Sequence, residues 1–146
     1  MIQQSEKPLL IIEDSDEDFA ALTILISKAQ IHSPVYRCDD GESALDFLHR
    51  QGEYENPALS PRPSLIVLDL NLPGTDGREV LADLKHDPQL KTIPVVIFTT
   101  SSNPRDIQGC YLQGVNGYMV KPMNTKRLER LVQVFLDYWF EAVELP

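Results

Sequence analysis

Short apolar runs alternate along this chain with segments whose apolar residues recur at helical spacing. The runs resemble strands buried on both faces of a sheet, and they are Leu9–Ile12, residues 35–36, Leu65–Leu68, residues 94–98 and residues 115–120. The segments between them carry helix-spaced pairs such as Leu22 with Ile26. Parallel strands need long crossover connections, usually helices. The sequence therefore predicts an α/β fold of five βα units, (βα)5.

Length and charge restrict the function classes. The chain has 146 residues and 42% hydrophobic content, which predicts one domain over residues 1–146 with an extended C-terminal helix and tail. No apolar run approaches the roughly 20 residues that cross a bilayer, and residues 1–8 lack a signal peptide's apolar stretch. We therefore expect a cytoplasmic protein without a membrane partner. A net charge of −9 disfavours nucleic acid as a partner.

Residues typical of helix ends support the predicted alternation of strands and helices. Ser15 precedes three acidic residues that suit the positive end of a helix. Asn103 followed by Pro104 predicts a helix start. Asp87 before Pro88 predicts a helix end, because the residue before proline avoids helical angles.

One connection, residues 51–63, is longer than usual for such folds and contains three prolines. It fits a tolerated surface insertion and a partner-contact loop equally well. The two cysteines, Cys38 and Cys110, lack metal-ligand spacing and are expected to be packing residues.

Polar residues follow several of the predicted strands. Glu13 and Asp14 follow the first, Asp69 the third, Thr99 the fourth and Lys121 the fifth. Ligands gather at the carboxyl ends of strands in open α/β sheets. Carboxylates brought together there repel one another unless a cation compensates. Oxygen ligands favour a hard ion such as Mg²⁺.

The motifs at these strand ends resemble the receiver domain of two-component response regulators. They are Glu13-Asp14, the run DLNLPGTDG from Asp69 to Gly77, Thr99-Thr100, and the run YMVKP from Tyr118 to Pro122. The resemblance spans nearly the whole chain. It implies a flavodoxin-like, doubly wound parallel sheet with strand order 2-1-3-4-5 and a stand-alone phosphoacceptor protein, whose only chemistry is self-catalysed phosphotransfer and dephosphorylation.

The resemblance also implies roles for individual residues. Asp69 would take a phosphoryl group from a phosphohistidine of a sensor histidine kinase. Asp14, Asp69 and the backbone carbonyl of Asn71 would bind Mg²⁺, while Glu13 would hold metal-bound water.

Three further residues would respond to the phosphoryl group. Thr99 would hydrogen-bond it, Lys121 would pair with Asp69 or its phosphate, and Tyr118 would be the aromatic switch residue. By position alone, Tyr118 fits an ordinary half-buried strand tyrosine. The family often has a cis peptide between the residues that correspond to Lys121 and Pro122. Gly77 is expected to allow the close approach of the following helix.

Three rival functions leave different signatures. A flavin-binding protein needs a phosphate-cradling loop after the first strand, where this chain has Glu13 to Asp18. A haloacid-dehalogenase-like phosphatase needs an aspartate at the position of Asn71. A pseudo-receiver that only docks partners would not be labelled by a phosphodonor.

The C-terminal segment carries apolar residues on two faces. Leu128, Leu131, Val132, Phe135, Trp139 and Val143 form the expected core stripe of the fifth helix, and Val134, Tyr138 and Leu145 fall on another face. This second face fits an interface or a wider core stripe. The tail and the residue 51–63 loop resemble single-domain regulators of cyanobacterial phytochromes. That resemblance implies a light-sensing kinase partner and a homodimer through the fourth-helix to fifth-helix face.

Overall fold

The structure, a computed structural model, describes residues 7–146 and contains a five-stranded parallel sheet. The strands are β1 (Leu9–Ile12), β2 (Val35–Cys38), β3 (Leu65–Leu68), β4 (Val95–Thr99) and β5 (Gly117–Val120). Their order is β2-β1-β3-β4-β5. This confirms the predicted flavodoxin-like topology.

Five α-helices connect the strands. They are α1 (Asp16–Lys28), α2 (Gly41–His49), α3 (Gly77–His86), α4 (Pro104–Gln113) and α5 (Thr125–Leu136). The predicted boundaries are confirmed: the Ser15 side chain accepts the N–H of Asp18, Asn103 caps α4, and α3 ends before Asp87. A π-helical segment, Asp137–Ala142, continues α5.

The sheet separates two hydrophobic layers. Alternate residues of each strand face opposite sides, so Leu10 and Ile12 pack with α2, α3 and α4, whereas Leu9 and Ile11 pack with α1 and α5. Every residue of β1, β3 and β4 is buried. The buried central strands therefore hold in place the residues that follow their carboxyl ends.

Three strands differ from the prediction, and β4 (Val95–Thr99) lies one residue later than the predicted run of residues 94–98. β2 continues to Cys38. β5 begins at Gly117 because Val115 is still bonded back to the last turn of α4, where its N–H donates to the carbonyl of Cys110 at 3.2 Å. The Asn116 side chain then accepts the Val95 N–H at 3.0 Å, which replaces a strand-to-strand bond.

The residue 51–63 loop is held by its own hydrogen bonds. It contains a short 3₁₀ turn, Gly52–Tyr54, and the buried Ser60 hydroxyl donates to the carbonyl of Tyr54 at 2.8 Å. Arg50 Nε donates to the Ser60 carbonyl at 3.2 Å.

The second apolar face of the C-terminal segment divides between the two alternatives. Val134 and Tyr138 are exposed, which fits an interface, whereas Leu145 packs against the α1–α5 layer, which fits a wider core stripe, and its carbonyl accepts from Lys7. The tail folds back because Val143 leaves the helix in an extended conformation.

The expected cis peptide before Pro122 is wrong, since every peptide bond in the described part of the chain is trans, the isomer that prolines favour by about 0.5–1 kcal/mol.

Across residues 7–146, none of the helices has the length and apolar character that crossing a bilayer requires.

Candidate functional site: an acidic cluster around Lys121

The carboxyl ends of four strands bring the predicted polar residues together. Glu13 directly follows β1, Asp69 follows β3, Thr99 ends β4 and Lys121 follows β5. Because the strands are parallel, these positions share one edge of the sheet. Glu13, Asp69 and Thr99 are buried there.

Three carboxylates form the centre of the cluster. One carboxylate oxygen from each of Glu13, Asp14 and Asp69 lies within 4.8 Å of the others. Asp14 is exposed, whereas Glu13 and Asp69 are buried. The cluster is therefore open to solvent on the Asp14 side.

Lys121 provides the positive charge at this cluster. Its Nζ donates to Asp69 Oδ2 at 2.8 Å and to Asp18 Oδ2 at 2.7 Å. It also lies 2.6 Å from Glu13 Oε1. One ammonium group thus contacts three carboxylates.

The pKa values of the buried pair follow from this arrangement. Burial raises the pKa of Glu13 to about 7; Lys121 lowers it and Asp69 raises it further, but neither outweighs burial. Burial alone would lower the pKa of Lys121, but its close contacts with the carboxylates of Asp18, Asp69 and Glu13 raise it above its usual range. Lys121 is therefore a permanent cation.

The donor set fits a hard divalent cation. Buried Glu13 Oε1 receives no hydrogen bond from the described residues, although Lys121 lies close by. Glu13, Asp14 and Asp69 together outnumber the single ammonium charge that faces them. Oxygen ligands with excess negative charge are what Mg²⁺ and similar ions take.

Thr99 and Asn71 lie beside this cluster. Asn71 donates its backbone N–H to Asp69 Oδ1 at 3.1 Å and its side-chain amide to Thr99 Oγ1 at 3.4 Å. Thr99 is fully buried. Its hydroxyl is therefore connected to Asp69 through Asn71.

Tyr118 lies outside the acidic cluster. Its hydroxyl donates to the carbonyl of Ser101 at 2.9 Å, and burial raises its pKa. The ring is half-buried and packs against the α2–α3–α4 layer. Tyr118 thus connects β5 to the segment between Thr99 and α4.

Gly77 positions the start of α3 against Asp69. A Cβ at this residue would overlap the Asp69 carbonyl and lie 2.6 Å from the Leu70 Cα. Only glycine allows this approach, which confirms the expectation from the sequence.

Two residues of the site were missed in the sequence. Asp18 reaches Lys121 from α1, and Arg37 of β2 donates its Nε to the Glu13 carbonyl at 3.1 Å while pairing with Asp16 at 2.8 Å. In the sequence Asp18 is one of three successive acids, and Arg37 directly follows the predicted second strand. No spacing signal distinguishes either of them.

The fold and this cluster define a class of protein. The response regulator receiver domain family matches residues 9–133, and the chain belongs to this family. It is a signalling family in which an aspartate is phosphorylated, and its members bind a divalent metal ion.

Known relatives narrow the class. The response regulator Rcp1 of Synechocystis sp. is 46% identical over 140 residues, which cover 96% of this chain and 93% of that protein. The Mn²⁺-bound crystal structure of Rcp1 has a TM-score of 0.91 at 46% identity and covers 96% of this chain and 99% of Rcp1. The phosphorylated cyanobacterial phytochrome response regulator RcpA has a TM-score of 0.90 at 39% identity, with coverage of 97% and 99%. The chain is therefore similar to phytochrome response regulators.

Proposed function

We propose that Asp69 accepts a phosphoryl group from a phosphohistidine of a sensor histidine kinase, with Mg²⁺ as the metal. The observation that carries this proposal is the buried Asp69 carboxylate between Lys121 and the carboxylates of Glu13 and Asp14. A carboxylate oxygen would form the bond to phosphorus as the P–N bond breaks. The imidazole nitrogen of the kinase would keep the electron pair.

The chain's own residues would position the reacting groups. Asp14, Asp69 and the backbone carbonyl of Asn71 would hold the metal, and Glu13 would hold metal-bound water. Phosphoryl transfer depends mainly on positioning and charge neutralisation. When bound, a divalent ion supplies positive charge to the phosphoryl oxygens. Lys121 would supply a second positive charge from the side of β5.

Thr99 and Tyr118 would report the change. A phosphorylated aspartate adds about −1.5 to −2 charge, by analogy with other phosphorylated side chains. The Thr99 hydroxyl, now near Asn71, would turn to the phosphoryl group. Because Tyr118 binds the carbonyl of Ser101, two residues after Thr99, its ring would follow that movement.

The names of the relatives suggest the partner. Rcp1 is named a response regulator and RcpA a cyanobacterial phytochrome response regulator. We propose a phytochrome-type, light-sensing histidine kinase for this chain, which would act in the cytoplasm as a single receiver unit. Self-catalysed dephosphorylation would reset it.

The fourth-helix to fifth-helix face is the proposed homodimer surface. Large apolar side chains are exposed along α4, β5, the following loop and α5: Tyr111, Leu112, Val120, Met123 and Val134. An exposed apolar patch of this kind is typical of an interface. Sedimentation that shows only monomer at high micromolar concentration would exclude the dimer.

Replacing Asp69 tests the phosphoacceptor. Asp69→Asn should abolish acid-labile labelling by a phosphorylated histidine kinase and by acetyl phosphate, because the amide is a poor nucleophile. The matched control is Asp39→Asn, at an exposed residue outside the cluster. Labelling that persists in Asp69→Asn would move the acceptor elsewhere, and an unlabelled wild-type chain would favour a pseudo-receiver.

Replacing Thr99 separates metal binding from the response. Thr99→Ala should leave Mg²⁺ affinity nearly unchanged, since no metal role is assigned to the hydroxyl, and should weaken the change in tyrosine environment after phosphorylation. A collapse of metal affinity would contradict the role proposed for Thr99.

A further inference from the structure

The Lys121 ammonium group has no free side for a new anion. Lysine carries three N–H donors, and two of them donate to Asp18 and Asp69 at 2.7 and 2.8 Å. Glu13 Oε1 occupies the remaining side at 2.6 Å. A phosphoryl oxygen on Asp69 can therefore bind Lys121 only if one of these contacts opens.

Burial indicates which carboxylate can leave. The side chains of Glu13 and Asp69 are 2% and 5% exposed, so water cannot replace Lys121 at either carboxylate. Asp18 is 37% exposed, and water can replace its contact with Lys121. Asp18 is thus the carboxylate that is released at the lowest cost.

We propose that Asp18 is a positioning residue that competes with the incoming phosphoryl group for the Lys121 ammonium. This inference rests on the proposed phosphorylation of Asp69. In the unphosphorylated chain Asp18 holds Lys121 towards the first turn of α1. Phosphorylation breaks the Asp18–Lys121 ion pair, and Lys121 turns to the new phosphoryl oxygens. Asp18 therefore restrains the acceptor reaction.

The restraint has a measurable direction. In the reaction with acetyl phosphate, an Asp69 oxygen forms the bond to phosphorus, the P–O bond to the acetyl group breaks, and acetate leaves with the electron pair. Without the Asp18 carboxylate, Lys121 is free to meet the phosphoryl group. Asp18→Asn should raise the rate constant of labelling at saturating Mg²⁺ by about twofold to fivefold, the factor spanned by water-exposed ion pairs.

Two controls separate this contact from general charge effects. Glu17→Gln removes the same charge from the same turn of α1, at an exposed residue that contacts no partner within residues 7–146, and should change the rate less. Lys121→Met removes the shared cation, so adding Asp18→Asn to it should change the rate no more than Glu17→Gln does. A double-mutant cycle over Asp18 and Lys121 measures this coupling.

The outcomes distinguish the two proposals. A wild-type chain that is not labelled would overturn the proposed function and this inference with it. If the wild-type chain is labelled but Asp18→Asn is no faster than Glu17→Gln, only the role of Asp18 is overturned. Acceleration that persists in the Lys121→Met chain would also overturn it, because Asp18 would then act on the donor and not through Lys121.

Discussion

The helices α3 and α4 have equal length but differ in how they are held. Each has ten residues and follows a central strand of the sheet, α3 after β3 and α4 after β4. α3 buries four residues, Gly77, Val80, Leu81 and Leu84, whereas α4 buries only Cys110. Two neighbouring helices of one fold therefore contribute very different amounts of apolar contact to the core.

This difference separates the helix beside the proposed acceptor from the helix beside the proposed switch residues. α3 begins against the Asp69 carbonyl and fixes the acceptor loop, so its tight packing preserves the site. α4 is tied to its surroundings by polar contacts: Asp106 pairs with Arg78 of α3 at 2.8 Å and accepts from the Ser101 hydroxyl at 2.6 Å. Regions with few buried apolar contacts open at the lowest free energy. In the proposed mechanism, α4 is thus the helix that would follow a change at Thr99.

The largest expected effect tests the packing of the two helices directly. Leu84→Ala should lower the free energy of unfolding by about 2–5 kcal/mol, because it leaves a cavity at a residue with no exposed surface. Leu112→Ala, on α4, should change it by less than about 0.5 kcal/mol, since Leu112 is 89% exposed. Urea unfolding of both variants measures the contrast. Equal losses would show that α4 is as firmly packed as α3.

Much of the fold was predictable because its signals are local. Continuous apolar runs marked β1 and β3 to the residue, and Ser15, Asn103 and Asp87 marked helix ends. The polar residues that follow the strands lie close together because the carboxyl ends of parallel strands share one edge of the sheet. The alternation of strands and helices along the sequence was enough to predict this parallel arrangement.

The remaining features depend on packing that no spacing encodes. Asp18 differs from Asp16 and Glu17 only in the direction in which α1 turns it towards Lys121. Leu145 was grouped with Val134 and Tyr138 on one helix face because helical periodicity was extended past Ala142, where the helix ends. Each of these depends on where a helix ends or rotates, which is decided by distant contacts.

Replacing Gly77 should have a smaller effect on stability, and it tests whether the packing of α3 positions the site. Gly77→Ala should destabilise the fold by about 1–3 kcal/mol, because the new methyl group would push α3 away from Leu70 and the Asp69 carbonyl. Gly109→Ala on α4 is the matched control, since a Cβ there meets no atom within 4 Å. Divalent-metal titration should show weaker binding only in Gly77→Ala. Unchanged affinity would mean that α3 does not position Asp69.

The smallest effect concerns the polar attachment of α4. Asp106→Asn should lower stability by less than about 1 kcal/mol, because the ion pair with Arg78 is partly exposed to water. It should nevertheless speed amide hydrogen exchange in α4 more than in α3. Glu129→Gln, at an exposed residue of α5, is the charge-matched control.

The pH dependence of this effect has a defined sign. The Ser101 hydroxyl and Arg78 lower the pKa of Asp106 below its ordinary value of 3.8. The stabilisation is therefore present in full well above pH 3.8 and is lost as the pH falls through the lower pKa of the folded protein. The difference in unfolding free energy between the wild-type chain and Asp106→Asn should shrink over that acidic range. A difference that is constant with pH would show that the carboxylate charge does not hold α4, and the contrast with α3 would then rest on apolar packing alone.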